Sequence, residues 1–332
     1  MTSTVHPVNA SAPPEARGVP RDGVRLLVAG ATITESVFRR LPDFLEPGDL
    51  LVVNTSATLP AAVDARRRNE PVVVHLASPN EDGTWVVEVR PPAPAFGPVE
   101  DITSGEQLML PHGSLTILRT LPGQVRLHTA VLDVDAEHLM REHGRPIAYG
   151  YVPRSWPLSD YQTIFAREPG SAEMPSAGRP FTPAVVTDLV ARGITIAPLV
   201  LHTGVSSPEV GEPPQPERYD VPATTARLVN ATRAAGHRIV AVGTTVTRAL
   251  ETVASPDGTV RAGHGWTDLV LGPSRAARVV NGIVTGWHEP GASHVHLLEA
   301  VAGVDLVARA YDEALRRDFL WHEFGDSCLL LP

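Results

Sequence analysis

Apolar residues follow two different rhythms along this chain, and the change falls near residue 150. The stretch Arg25-Leu26-Leu27-Val28 reads as a strand, followed by a connector that runs through Phe38. The turn Pro47-Gly48-Asp49 then announces Leu50-Leu51-Val52-Val53, a run with no polar face, which reads as a buried strand ending on Asn54. Between about residues 61 and 150 the apolar runs are short (72–76, 85–89, 108–110, 115–118 and 125–128) and are parted by Gly, Pro and Asp turns. This is the pattern of a small antiparallel barrel. From residue 151 helical and strand periods alternate. Helices are predicted over 183–192, 223–235, 245–253, 293–302 and 305–317, and strands over 194–202, 239–242, near 269 and over 279–284. Such alternation predicts an α/β layer structure around a largely parallel sheet.

The fold expected is therefore an α/β core with an inserted small antiparallel β-barrel. Its parts are a loose tail over residues 1–22, rich in Pro, Ser, Ala and Thr, the first part of the core over 23–60, the barrel over 61–150, and the remainder of the core over 151–332. No internal repeat is present, and the biased segments are the tail and a proline-rich loop over 207–216.

A length of 332 residues suits two domains at roughly 150 residues each. Hydrophobic residues at 43% and charged residues at 20% exclude a wholly disordered or fibrous chain. No apolar stretch approaches the ~18 residues of a membrane span, and the first residues lack the layout of a signal peptide, so a cytoplasmic location is expected. Cys328 is the single cysteine and has no partner for an internal disulfide. A formal net charge of −9 argues against binding polyanions by bulk charge. Every basic side chain other than histidine is an arginine, which excludes lysine nucleophiles and Schiff bases.

Five segments carry candidate chemistry. The first runs from Tyr161-Gln162-Thr163 through Ala166-Arg167-Glu168-Pro169-Gly170-Ser171 to Ser176-Ala177-Gly178 and Phe181-Thr182-Pro183. Small residues admit a ligand close to the backbone there, and Thr182-Pro183 opens a helix whose N–H groups can meet an anion; an ordinary loop before a capped helix is the alternative. Leu201-His202 ends an apolar strand, where ligands of α/β proteins sit. Gly243-Thr244-Thr245, with Arg248 one turn on, also follows a strand and opens a helix, but lacks the glycine spacing of a nucleotide or dinucleotide loop. Gly265-Trp266-Thr267-Asp268 and Thr285-Gly286-Trp287-His288 set tryptophan faces, which attract cations, beside polar groups; tryptophans covering a core edge are the alternative. Gly325-Asp326 is either a turn or part of a site.

Taken in order over residues 25–330, these segments resemble the queuosine-pathway S-adenosylmethionine:tRNA ribosyltransferase-isomerase family, often called QueA. The resemblance implies the same architecture of α/β core and inserted barrel. It also implies that S-adenosylmethionine is consumed as a substrate, giving up its ribosyl carbons to the aminomethyl group of a 7-deazaguanine in a tRNA anticodon while adenine and methionine leave. Such a reaction needs a base for the carbon beside the sulfonium, donors for the ribose oxygens and exclusion of water. Carried onto this chain, the base is His202 or Glu217. Thr244, Thr245 and Arg248, with Gly243, position the ligand, and Trp266 or Trp287 offers a face to the sulfonium or adenine. Asp268 and Asp326 hold ribose hydroxyls or orient a histidine. Asn54, Tyr161, Arg167, Ser176, Gly178, Phe181, Thr182, Thr267 and His288 complete the expected binding set, with no metal.

The chain departs from the family within these motifs. The family's Asn-Asp-Thr-Arg-Val-Ile-Pro-Ala-Arg reads Asn54-Thr55-Ser56-Ala57-Thr58-Leu59-Pro60-Ala61-Ala62 here, and Met-His-x-Glu reads Pro214-Gln215-Pro216-Glu217. Arginines that would meet phosphates are lost, whereas Arg179, Glu289, His294, His296, Glu299, His322 and Glu323 are gained. An alternative therefore stays open, in which S-adenosylmethionine is consumed without tRNA, on a small acceptor or by rearrangement. His294, His296 and Glu299 also have metal-binding side chains, but on a helix residues two apart point in different directions.

Overall fold

The computed structural model describes residues 7–92, 97–205 and 214–332. In chain order the strands that open the molecule are β1 (Val8–Asn9), β2 (Arg25–Ala29), β3 (Ile33–Val37), β4 (Leu50–Asn54) and β5 (Ser56–Thr58). Next come β6 (Ala62–Arg67), β7 (Glu70–Pro79), β8 (Trp85–Arg90), β9 (Gln107–Leu110), β10 (Gly113–Thr120), β11 (Leu127–Leu132), the helix α1 (Ala136–His143) and β12 (Gly144–Arg145). The remainder is β13 (Glu168–Ser171), α2 (Pro183–Ala191), β14 (Thr195–Leu201), β15 (Glu217–Val221), α3 (Ala223–Ala234), β16 (Ile239–Val242), α4 (Thr244–Thr252), β17 (Gly263–Thr267), β18 (Gly282–Thr285), α5 (Ser293–Ala302), α6 (Val304–Arg316), β19 (Leu320–Trp321) and β20 (Ser327–Leu330).

Because β4 is apolar on both faces, it is stable only with cover on both sides, and it lies inside a nine-stranded sheet of order β17-β15-β14-β4-β16-β18-β20-β2-β3. Alternate residues serve opposite layers. Leu50 and Val52 join Val246 and Leu250 of α4 and Leu297 and Leu298 of α5, whereas Leu51 and Val53 join Phe181 and Val185 and Leu189 of α2. The four strands β14, β4, β16 and β18 are mutually parallel, with Leu199 opposite Asn54 and Ala241 opposite Val52. Outside them the sheet is mixed: β15, β17 and β3 pair antiparallel, and β20 runs antiparallel to β18 but parallel to β2.

Strands β6, β7, β8, β11, β10 and β9 pair in that order, and Arg66 of β6 pairs with Met109 of β9. The result is a closed six-stranded antiparallel barrel, which leaves no open edge. Its apolar interior holds Val63, Val74, Leu76, Val87, Leu108, Leu115 and Ile117. The protein is thus an α/β core carrying a small antiparallel barrel.

Two expectations are corrected. Residues 7–22 do not form a loose tail, for β1 pairs with β19, Ala10 and Pro14 are buried, and Arg17 donates to the Phe324 carbonyl at 2.8 Å. Proline-rich composition hides this docking because the partners lie some 300 residues away in sequence, an Arg17–Phe324 separation of 307 residues. The strand placed near residue 269 is instead β17, ending at Thr267, and Leu269 is buried without strand pairing. Of the proline-rich loop over 207–216, residues 207–213 lie outside the described residues.

Among the described residues no helix is long and apolar enough to cross a membrane.

Candidate active site

The parallel strands deliver their carboxyl ends to one edge of the sheet: Asn54, Leu201, Val242 and Thr285 end β4, β14, β16 and β18. Ligands of open α/β sheets bind at such an edge. Two cavities adjoin there, of about 130 Å³ and about 430 Å³, and they share a wall of Glu173, Met174, Ser176, Gly286, His288 and His294.

The smaller cavity is built on the turn between β16 and α4. Gly243 holds φ at +94°, a left-handed conformation that favours glycine, and donates its N–H to the Val284 carbonyl at 2.8 Å. Thr244 and Thr245 follow in the first turn of α4, where backbone N–H groups lack helical partners. Across the cavity Glu217 is gripped by Arg248 and accepts the Gly204 N–H at 3.1 Å. Arg248 also donates to the carbonyls of Leu269, Gln215 and Thr267 at 3.2–3.3 Å, so its guanidinium is held in place by backbone. Burial raises the Glu217 carboxyl above its ordinary range, against the opposing pull of Arg248 and the Gly204 N–H.

The larger cavity has aromatic and acidic walls. Tyr149 donates its hydroxyl to Glu173, and Tyr151 donates to Glu323 at 2.7 Å; the two tyrosine rings lie 6.1 Å apart. Burial, with Glu173 adding repulsion, pushes the Glu323 carboxyl up to about 7. His322 stacks on Tyr151 at 4.1 Å and pairs with Glu289 at 3.3 Å. His288 and His294 stack at 4.6 Å in the shared wall. Burial lowers both, His294 to about 4, so both are neutral near pH 7.

The barrel contributes one arginine to each cavity, Arg126 to the smaller and Arg90 to the larger. Glu88, wholly buried on β8, accepts Arg126 Nη1 at 2.6 Å and Arg90 Nη1 at 3.0 Å on Oε1, and His75 Nδ1 at 3.0 Å on Oε2. Burial would raise this carboxyl, but His75 and the two arginines prevail and hold it at about 2.

The structure brings Tyr161, Ser176, Glu217, Gly243, Thr244, Thr245, Arg248, Trp287 and His288 of the expected set to these cavities. The other expected residues line neither. His202 lies off them: its Nδ1 is 2.8 Å from the Ser56 hydroxyl, and it packs on Gly170 so closely that a Cβ there would fall 2.3 Å from the ring. Burial, aided by Arg218, depresses the imidazole to about 4. Asn54 spends its amide on the Leu201 carbonyl and N–H and the Ser56 N–H. Thr182 caps α2 and donates to Asp22, Phe181 packs between Phe38 and Phe165, and Gly178 lies against Thr163. Thr267 bonds Thr252, Asp268 and Arg167 are exposed, and Trp266 sits in β17 opposite Arg218. Asp326 accepts the N–H groups of Arg25 and Leu320, and lines only a small separate recess. Trp287 packs mainly in the core against Tyr311 and Trp321. On α5 His294 faces the cavities while His296 pairs with Glu299 at 2.9 Å on the exposed side. Among the described residues no three His, Cys, Asp or Glu side chains cluster as a metal site.

Sequence reasoning missed Arg90, Arg126, Tyr149, Tyr151 and Glu173. The alternation Tyr149-Gly150-Tyr151 just after the barrel was the available signal for the two tyrosines.

A cavity pair at the carboxyl edge of a parallel sheet, partly walled by an inserted barrel, marks this as an α/β protein with cavities between its two parts. A family model described as Queuosine biosynthesis protein matches residues 6–330, and the chain belongs to that family. It is 37% identical to the S-adenosylmethionine:tRNA ribosyltransferase-isomerase of Acidiphilium cryptum over 329 residues, covering 94% of this chain and 93% of that protein. The protein of the same name from Symbiobacterium thermophilum is 36% identical, with 94% of each chain covered. A crystal structure of S-adenosylmethionine tRNA ribosyltransferase from Thermotoga maritima superposes with a TM-score of 0.54 at 31% identity, covering 98% of this chain and 96% of that one.

Proposed function

We propose that this protein is an enzyme that transfers the ribosyl moiety of S-adenosylmethionine to 7-aminomethyl-7-deazaguanine in tRNA, releasing adenine and methionine and leaving an epoxycyclopentanediol on the base. The names of relatives matched over nearly the whole chain support this reading. The observation that carries it in this molecule is the pair of cavities with a common wall, an arrangement that sets two substrates against each other. The alternative without tRNA draws no support from those relatives.

In this reading the smaller cavity takes part of S-adenosylmethionine. The first turn of α4 and the hydroxyls of Thr244 and Thr245 supply donors for its carboxylate or ribose oxygens. Glu217, fixed by Arg248 and the Gly204 N–H, is the base, and His202 is set aside because it lines neither cavity. The neutral His288 and His294 close the shared wall. We assign the barrel over residues 61–150 the part of a wall that brings Arg90 and Arg126 to the ligands.

The test is release of adenine and methionine from S-adenosylmethionine by the purified protein, with and without tRNA bearing the 7-aminomethyl-7-deazaguanine base. Release that depends on this tRNA is expected. Equal release without RNA would overturn the reading in favour of a small or intramolecular acceptor.

A further inference from the structure

The larger cavity holds a carboxylate without a cation. Glu323 receives the Tyr151 hydroxyl, yet among the described residues no arginine or histidine lies within ion-pair distance of it. A carboxylate taken from water without a cation is costly and is relieved by a proton or a bound cation. Around it stand the rings of Tyr149, Tyr151 and Tyr161. The Tyr161 hydroxyl and Trp287 Nε1, both on lining residues, are buried with no hydrogen-bond partner among the described residues. Buried polar atoms in native proteins are generally bonded, so a ligand with polar atoms of its own fits this cavity better than an apolar one. The two cavities differ in chemistry. The smaller offers N–H groups and hydroxyls to a ligand's oxygens, and the larger offers a carboxylate and aromatic faces to a flat ring that carries a cation.

We infer that the larger cavity is the subsite for the acceptor, a flat 7-deazaguanine ring set among the tyrosines with its aminomethyl cation on Glu323, which takes a proton from it before the nitrogen forms its new bond. The assignment rests on the reaction proposed above and adds to it the residue that selects a charged amine. A charge-assisted N–H···O bond is stronger than a neutral one, so Glu323 separates an aminomethyl base from a 7-cyano base of similar size.

The experiment measures binding of free 7-aminomethyl-7-deazaguanine, free 7-cyano-7-deazaguanine and S-adenosylmethionine to the full-length protein by calorimetry, for the wild type and E323Q. The wild type is expected to prefer the aminomethyl base by about tenfold or more, and E323Q to lose that preference while its affinity for S-adenosylmethionine stays within about twofold. Equal wild-type affinities for the two bases, binding of neither, an equal loss for both in E323Q, or loss of S-adenosylmethionine affinity in E323Q would each overturn the assignment. Absence of the wild-type preference overturns the assignment even where the variant does not fold. A protein that shows the preference but releases no adenine with the modified tRNA keeps the cavity assignment and overturns the reaction. One that turns over that tRNA without the preference does the opposite.

Discussion

The Glu88 carboxylate holds the Arg126 guanidinium at 2.6 Å inside the barrel, and Arg126 reaches the smaller cavity from there. The same Glu88 oxygen accepts Arg90, which lines the larger cavity, so one buried acid sets a cationic group in each. Removing one member of such a buried network leaves charges without compensation.

Glu88 therefore contributes to acid stability. Its carboxyl is held at about 2, below the value of an unfolded glutamate. The stability it contributes is present above about pH 4.5 and is lost as pH falls towards 2. Its share of the loss is about 3 kcal/mol, read as the difference between the wild type and E88Q in urea unfolding between pH 5 and pH 2. E88Q is expected to be less stable at pH 7 by roughly 3–5 kcal/mol and to show a flatter acid limb. An unchanged acid limb in E88Q would refute the assignment.

Asn54 is expected to act on stability before it acts on chemistry. Its side chain ties β4 to β14 through both the N–H and the carbonyl of Leu201, and it also holds the Ser56 N–H. N54A leaves these buried groups unpaired and is expected to cost roughly 2–4 kcal/mol in denaturant unfolding. A loss below about 0.5 kcal/mol would show that water replaces the amide.

Glu217 is expected to act on chemistry. E217Q keeps an acceptor for the Gly204 N–H but removes the charge that faces Arg248. As the base it should carry about 10²–10⁴-fold in kcat for adenine release, with KM for S-adenosylmethionine changed far less. A variant that raises KM and spares kcat would reassign Glu217 to ligand binding.

Much of the core was legible in the chain itself. The apolar run Leu50-Leu51-Val52-Val53 admits only a strand covered on both faces, and the alternation after residue 151 marks α2, α3, α4, α5 and α6. Gly243-Thr244-Thr245 was readable as a site because a strand, a glycine and a helix start are local signals, and the structure puts all three at the smaller cavity. β1, β3, β5, β6, β12, β13, β15, β19, β20 and α1 escaped the reading. The polar or mixed composition of β3, β6, β15 and α1 acquires an element only through its partners, as with Glu217–Val221 between β14 and β17.

Local pattern, then, determined where apolar segments must be covered, where helices start, and the order of motifs that marks the family. It could not decide which side chains meet. His202 and Glu217 looked alike as candidate bases, and only packing turned one onto Ser56 and the other towards a cavity. Arg90 and Arg126 look unremarkable along the chain, because alternation within a barrel says which residues point inward but not what stands opposite the barrel. The closing of the barrel against the sheet edge decided that, and with it the two cavities and the buried acid that serves them both. Contacts across more than 100 residues arise from burial of surfaces that no local segment contains.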